Sequence, residues 1–272
     1  MEGITTQKNQ VDEGFSAIYE NYEKLNQHSW VDQYMRSCVY RHVNNLISSH
    51  SSILELNCGS GIDAAYFALK GHQVLATDIA KSSADYVNQK KEKLQLKNLT
   101  FKLLDFENID MLKPQKFDYI FSNFGGFNCI SNPEYTFSKF KQILQPNAIV
   151  SLCILGPYYP WEWLYALKGD FKLAFRRLKK GGALANVEGK KVHTFYYTPQ
   201  QIKQKMGKDF EVLKVESLGY TFPSVNFEKV HRFKKISKSL IYLDQKMHQW
   251  KLAPSYIGDY FIISFRLKNL DK

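Results

Sequence analysis

No run of apolar residues in this chain reaches the about 18 positions needed to cross a bilayer. The opening Met1-Glu2-Gly3-Ile4-Thr5 lacks the basic and apolar regions of a secretory signal, so a soluble, cytoplasmic protein is expected. Cysteine is scarce: Cys38, Cys58, Cys129 and Cys153 are scattered with no C-x-x-C pair, which argues against a zinc site and suits free thiols. Acidic residues are outnumbered, 26 against 37 lysines and arginines, for a formal net charge of +11. Much of the excess is local, in Lys168, Lys172, Arg176, Arg177, Lys179 and Lys180 and again in Lys229, Arg232, Lys234, Lys235 and Lys238. A nucleic acid, an anionic membrane surface or an acidic substrate would each answer such an excess, whereas a solvated helix face needs no partner.

What is present is a globular composition, 44% hydrophobic and 23% charged over 272 residues, enough for a single α/β domain with a substantial core. The most informative stretch runs from Ile53 to Asp78. An apolar strand (Ile53, Leu54, Leu56) enters a turn containing Gly59 and Gly61, and a second strand (Val74, Leu75, Ala76) ends in a carboxylate, Asp78. Glycine lets the backbone turn tightly and approach a ligand with no Cβ in the way, with helix N-terminal amides facing it. Asp78 is placed to accept hydrogen bonds from two ribose hydroxyls.

The glycine spacing Gly59-Ser60-Gly61-Ile62-Asp63-Ala64 also fits the dinucleotide fingerprint, and the surroundings separate the two readings. Glu55 stands four residues before Gly59, Asp105-Phe106 ends a third candidate strand, and Asp118 opens a fourth that runs into Ser122-Asn123-Phe124-Gly125. In these residues the chain resembles the class I S-adenosylmethionine-dependent methyltransferases of the small-molecule type. The resemblance implies S-adenosylmethionine as cofactor, with Glu55 and the loop residues Asn57, Cys58, Gly59 and Gly61 at its methionine end. It further implies Asp78, beside Ile79, at the ribose, Asp105 and Phe106 at adenine, and Asn123 and Phe124 near the reacting methyl. Asn57 departs from the glycine usual at its position. Cys58 is read as a small space-filling residue rather than a catalytic thiol.

Two helices are predicted ahead of the first strand, with Phe15, Ile18, Tyr19, Tyr22 and Leu25 on one apolar face and Val31, Tyr34, Met35, Cys38 and Val39 on the next. In the resembling family such helices lie over the cofactor, so Tyr19, Tyr22 or Arg36 would reach its methionine end. Strands are predicted at 53–56, 73–77, 100–104, 119–122 and 148–155, with helices at 62–69, 83–94 and 133–144 between them. This alternation implies a doubly wound, mostly parallel sheet with ligands beyond the strand carboxyl ends. Beyond Leu155 the rhythm breaks. A helix over 161–180 is predicted to carry Leu164, Leu167, Phe171, Phe175 and Leu178 on one stripe and Lys168, Lys172 and Arg176 on an exposed one. Gly181-Gly182 ends it, a strand follows at 191–197, and Thr198-Pro199-Gln200-Gln201 is a capping box. Strand 211–218, helix 227–250 and strand 259–265 complete a seven-stranded sheet whose last strand the family makes antiparallel. The chain is read as one domain: N-terminal helices to residue 50, a cofactor core over 51–155, an insertion over 156–197 that roofs the acceptor, and a sheet-completing tail over 198–272.

Methyl transfer from a sulfonium requires alignment and exclusion of water more than a catalytic triad, and a base only when the acceptor carries a proton to be removed. His193 is the candidate base, with Tyr196 and Tyr197 as alternatives; Asn128 is the candidate polar group of an apolar pocket walled by Phe124 and Phe127. The Asn/Asp-Pro-Pro-aromatic motif of base-modifying relatives is missing, so nucleic acid is not the expected acceptor. The acids with which catechol-type relatives chelate magnesium are missing too, and no metal is expected. The reading is methylation of a small apolar or aromatic metabolite, at oxygen by preference, with peripheral contact to an anionic membrane as a further expectation. An RNA methyltransferase using the basic surface and a noncatalytic cofactor-binding protein are the alternatives.

Overall fold

Repeated strand–helix pairing with near-continuous apolar strands builds a sheet covered on both faces. The computed structural model describes residues 29–187, 190–224, 234–250 and 254–269. The helix expected around Tyr19 and Tyr22 lies outside them. Chain order begins with α1 (Trp30–Asn44), β1 (Ser52–Leu56), α2 (Ile62–Leu69), β2 (Gln73–Asp78), α3 (Ser83–Lys93) and β3 (Leu99–Leu103). After a 3-10 segment at Phe106–Leu112 come β4 (Phe117–Ser122), a 3-10 turn at Gly126–Cys129, α4 (Pro133–Phe140) and β5 (Leu144–Leu155). Four short turns follow: α5 (Pro160–Trp163), 3-10 at Leu164–Lys168, α6 (Phe171–Ala174) and 3-10 at Arg176–Leu178. Then come β6 (Ala183–Val187), β7 (Lys190–Thr194), α7 (Pro199–Met206), β8 (Phe210–Leu218), α8 (Lys234–Gln249) and β9 (Tyr260–Leu267).

The seven-stranded sheet has the order β3-β2-β1-β4-β5-β9-β8, with β9 antiparallel to both neighbours. The α/β fold and its seven strands are therefore as the sequence predicts. Alternate strand residues feed two cores. Ile53, Tyr119 and Phe121 pack with α1, α2 and α3 on one face, while Leu54, Ile120 and Leu152 pack with Phe137 and Phe140 of α4 and Ile202 of α7 on the other. The order reverses between β1 and β4, which opens a crevice beyond their carboxyl ends.

Three predicted elements come out differently. The helix after Pro133 stops at Phe140, and β5 already begins at Leu144; Asn132 holds the N-cap position without a side-chain cap bond. The capping box at Thr198 forms, its hydroxyl accepting from Gln201 N and the Gln201 side chain accepting from Thr198 N. Most consequential, 161–180 is not one helix. In a continuous helix Glu162 and Arg176 would stand about 21 Å apart along the axis. Instead Gly169 takes φ +80°, Asp170 starts a new turn by capping Leu173 N, and the chain folds back until Arg176 Nη2 lies 2.6 Å from Glu162 Oε1. The strand expected at 191–197 is β7, shorter, and paired antiparallel with β6, which the sequence did not disclose.

Candidate active site

At the reversal point the loops after β1 and β4 are sewn together by short polar side chains. Asn57 Nδ2 donates to Asn123 O at 2.9 Å, and Ser122 Oγ donates to Asn57 Oδ1 at 2.5 Å. Asn57 has φ +48°, a left-handed conformation that asparagine tolerates better than other side chains, so its departure from glycine leaves the backbone path intact. Gly126 is required by crowding instead: a Cβ there would run into the Asn57 amide.

The glycine loop is held by its own backbone and by Asp78. Gly59 N gives its hydrogen to Asp78 Oδ2 at 2.8 Å and Gly61 N to Cys58 O at 2.9 Å, so those two amides are committed within the protein. Gly61 sits at φ +74°, and a Cβ on it would lie 2.6 Å from Val87 Cγ2; the close approach of α3 to the loop depends on its absence. Asp78 also accepts from Ala80 N at 2.9 Å. Cys58 is buried, and burial followed by the charges of Asp78 and Glu55 pushes its thiol well up, consistent with an inert filler.

A second layer, which sequence reasoning only half found, closes the site from α1. Arg36 and Tyr40, one helical turn apart, both reach Asp63: Arg36 Nη1 donates to Oδ1 and Tyr40 OH donates to the same oxygen at 2.5 Å. Asn123 Nδ2 donates to Asp63 Oδ2 at 2.9 Å. Asp63 occupies a variable position of the glycine motif, and the four-residue spacing of Tyr40 from Arg36 is the sequence signal for its place in this cluster. The Arg36 guanidinium lies 4.8 Å from the centre of the Phe124 ring, whose edge meets Tyr260. Phe124 has φ +46°, a strained setting for a bulky residue, relieved in part by its own N–H donating to Asn123 Oδ1 at 2.9 Å.

Glu55 is buried at 1% exposure, and its Oε2 has no hydrogen-bond partner. Burial, then the Asp63 charge, pushes its carboxyl well up, opposed by Arg36. Asp63, which pairs with Arg36, and Asp78 thus both lie close enough to bear on the buried Glu55 carboxyl, against the one guanidinium of Arg36. That imbalance and the orphaned oxygen suit a cationic ligand, and a ligand bearing a sulfonium and an ammonium fits it.

The remaining candidates are dispersed. Asp105 caps the next 3-10 turn, accepting from Glu107 N at 2.9 Å, and Phe106 stacks on Phe127 with centroids 4.9 Å apart. Ile79 is half-buried just past β2. Phe127 is fully buried among Phe137 and Phe140, a core side chain rather than a pocket wall. Asn128 is also fully buried; its amide donates to Phe195 O at 2.6 Å and Leu155 O at 3.1 Å and accepts from Leu155 N at 2.9 Å, bracing three loops with no donor left for an acceptor molecule. His193 lies partly exposed on β7, its Nε2 on Gly181 O at 2.6 Å and its ring stacked on Phe195. Tyr197 OH donates to Ile130 O at 2.7 Å, and Tyr196 stands over Arg177, its phenol pushed up by burial.

A model of a methyltransferase domain matches residues 47–206, more than half of the chain. No curated protein matches by sequence. Among solved structures, coclaurine N-methyltransferase bound to N-methylheliamine and S-adenosylhomocysteine is 15% identical with TM-score 0.56, covering 87% of this chain and 72% of its own. The CcbJ methyltransferase from Streptomyces caelestis is 13% identical with TM-score 0.57, covering 87% and 90%. The cyclase SpnF, at 13% identity and TM-score 0.53 over 85% and 80%, shares the fold as well, so likeness of fold at this distance does not fix a reaction. With the family model spanning the glycine loop, the acidic strand ends and the crevice between β1 and β4, the chain belongs to the S-adenosylmethionine-dependent methyltransferases.

Proposed function

We propose that this enzyme methylates a small apolar or aromatic molecule, at oxygen by preference, with Glu55, Asp63 and Arg36 at the amino-acid end of the cofactor, Asp78 at its ribose, and Asp105 and Phe106 at its adenine. When bound, S-adenosylmethionine supplies an electrophilic methyl on a good leaving group. The chain's own work is to hold the acceptor in line and to exclude water.

The observation that carries this reading is Phe124, an aromatic side chain kept in a left-handed conformation at the carboxyl end of β4, with Arg36 over one part of its ring and Tyr260 against its edge. Strain of this kind gathers where a side chain must be aimed. Coclaurine N-methyltransferase, solved with N-methylheliamine, supports a small organic acceptor. An acceptor soluble in lipid would be met at a membrane surface, which makes a peripheral contact part of the same reading. His193 serves as the base in this proposal: Gly181 O can only accept, so Nε2 carries the proton and Nδ1 is the ring's acceptor. Asn128 acts as a positioning residue, holding the loop after β4 against the end of β5.

The test is calorimetry with S-adenosylhomocysteine, followed by turnover on a panel of phenols and amines. His193→Ala should lower turnover on a hydroxyl acceptor by roughly 10²–10⁴ with cofactor affinity unchanged. A loss of only a few-fold would assign the rate to alignment and remove His193 from the chemistry.

A further inference from the structure

The segment after β5 turns its polarity inside out. Its buried side holds ions: Arg177 Nη2 donates to Glu162 Oε1 at 2.8 Å and Asp259 Oδ1 at 2.7 Å, and Arg176 forms a two-point pair with the same Glu162. Its outer side holds hydrocarbon. Trp163, Leu164, Leu167, Phe171, Phe175 and Leu178 are all exposed, Leu167 to 85% and Phe171 to 63%, on short turns of which α5, the Leu164–Lys168 turn and α6 pack against one another. Three exposed lysines each follow one of these side chains: Lys168 after Leu167, Lys172 after Phe171, Lys179 after Leu178. The carboxylates between Tyr158 and Leu184 are Glu162, buried under the two arginines, and Asp170, which caps Leu173 N.

We propose that this outer face is a docking surface for an anionic lipid bilayer. Leucine, phenylalanine and tryptophan side chains enter the headgroup boundary, while the neighbouring lysines, long enough to reach back along the surface, meet lipid phosphates. A second copy of the chain does not suit the face, because a twofold contact would set lysine against lysine. A nucleic acid does not suit it either, since exposed leucines find nothing on a phosphate backbone. The ion cluster beneath ties the inner side of these turns to Asp259, which leaves the apolar side chains on the outer side. This deepens the reading of a lipid-soluble acceptor, although docking itself requires neither cofactor nor acceptor.

The experiment is co-sedimentation of the full chain with phosphatidylglycerol vesicles and, separately, phosphatidylcholine vesicles, with S-adenosylhomocysteine affinity measured on every protein. Binding is expected to phosphatidylglycerol at low ionic strength, weakening with salt, and to be far weaker to phosphatidylcholine. Leu167→Ser/Phe171→Ser should weaken partitioning by roughly tenfold or more, since two apolar side chains lose their burial. Lys168→Gln/Lys172→Gln should reduce both binding and its salt dependence. Cofactor affinity should be unchanged in both, so a failure here is distinct from a failure of the methyltransferase reading. Absence of wild-type binding at low salt would overturn the proposal, as would full binding by the Leu167/Phe171 variant. A dimer that the same variant dissolves, with no vesicle binding, would assign the face to self-association instead.

Discussion

The two sides of the site solve the same task, holding chain against the carboxyl end of a sheet, with opposite materials. On the cofactor side the contact is made by apolar packing and by short polar groups bonded to backbone: Ser122, Asn57 and Asn123 bridge the loops, and Ile53, Phe67 and Val87 fill the space behind them. On the side of the segment after β5 the contact is a buried guanidinium between two carboxylates, and the apolar residues face water. The first arrangement is held mainly by surface removed from water, the second by a few directional bonds whose desolvation cost is high. A region of the second kind has little hydrophobic reason to stay closed, so the segment after β5 is where the molecule should open first.

The difference is broken most severely at its centre. Arg177→Met leaves Asp259 buried without its ion partner and strips Glu162 of one of two, a change expected to cost about 3–5 kcal/mol. Leu54→Ala, in the core between β1 and α4, should cost a comparable 2–5 kcal/mol, roughly. The two losses should appear in different places: Leu54→Ala in global stability by denaturant melts, Arg177→Met chiefly as faster amide exchange between Pro160 and Leu178. If Arg177→Met lowers the global midpoint as much as Leu54→Ala while exchange in the segment stays slow, the opposition between the two sides is false.

Next in size is the cofactor side's ligand chemistry. Asp78→Ala should weaken S-adenosylhomocysteine binding by about 1–3 kcal/mol, through lost hydrogen bonds to a charged acceptor and a loop amide left unpaired at Gly59. Unchanged affinity would remove Asp78 from the site. Burial and the Asp63 charge push the Glu55 carboxyl well up, and a cationic cofactor favours its ionised form, so binding of S-adenosylmethionine should be linked to loss of a proton and affinity should rise with pH. Calorimetry in buffers of differing ionisation enthalpy detects that proton, and none should appear in Glu55→Gln.

A smaller effect tests how α1 is tied to the sheet. His42 is fully buried, with Nδ1 on Glu216 and Nε2 on Ser264 Oγ at 2.8 Å, and Ser264 continues to Ser151. Burial pushes the Glu216 carboxyl up, but hydrogen bonds from His42 and Lys214 outweigh it and hold the group at about 2. A depressed carboxyl stabilises the fold above its ordinary value of 4.5, and that stabilisation is lost as pH falls from there to about 2. Burial lowers His42 from 6.5, so protonation of the unfolded chain begins to oppose folding below that pH, in the same direction. Denaturant midpoints followed from neutral to acid should therefore fall, and Glu216→Gln should flatten the lower part of that fall. An unaltered acid limb would show that another carboxylate governs it.

The cofactor side was legible because its signals are local. Gly59, Gly61 and Asp78 declare themselves by type and spacing, and the alternation of apolar strands gives the strand count and the parallel pairing. Asp63 and Tyr40 were less visible, since their partnership joins α1 to α2 across 23 residues. The segment after β5 was less legible for a physical reason. Apolar residues at helical spacing ordinarily mean a buried stripe, but here a cluster that draws Glu162, Arg177 and Asp259 from separate parts of the chain decides which side faces inward. Arg176, assigned to the exposed stripe with Lys168 and Lys172, belongs to that cluster instead.

The smallest effect sharpens the comparison furthest. Leu167, among the most exposed of the large apolar residues, should be replaceable by serine with a change in folding stability within about 0.5 kcal/mol, because a side chain already in water loses almost no burial. The same should hold for Lys168→Gln/Lys172→Gln, since exposed charges contribute little to folding. Thermal melts without lipid would then show near-identical midpoints for wild type and all these variants, while Leu54→Ala falls well below them. A large loss in Leu167→Ser would mean that its side chain is packed in solution, which would return the outer face to an ordinary buried stripe and remove the basis for a docking surface.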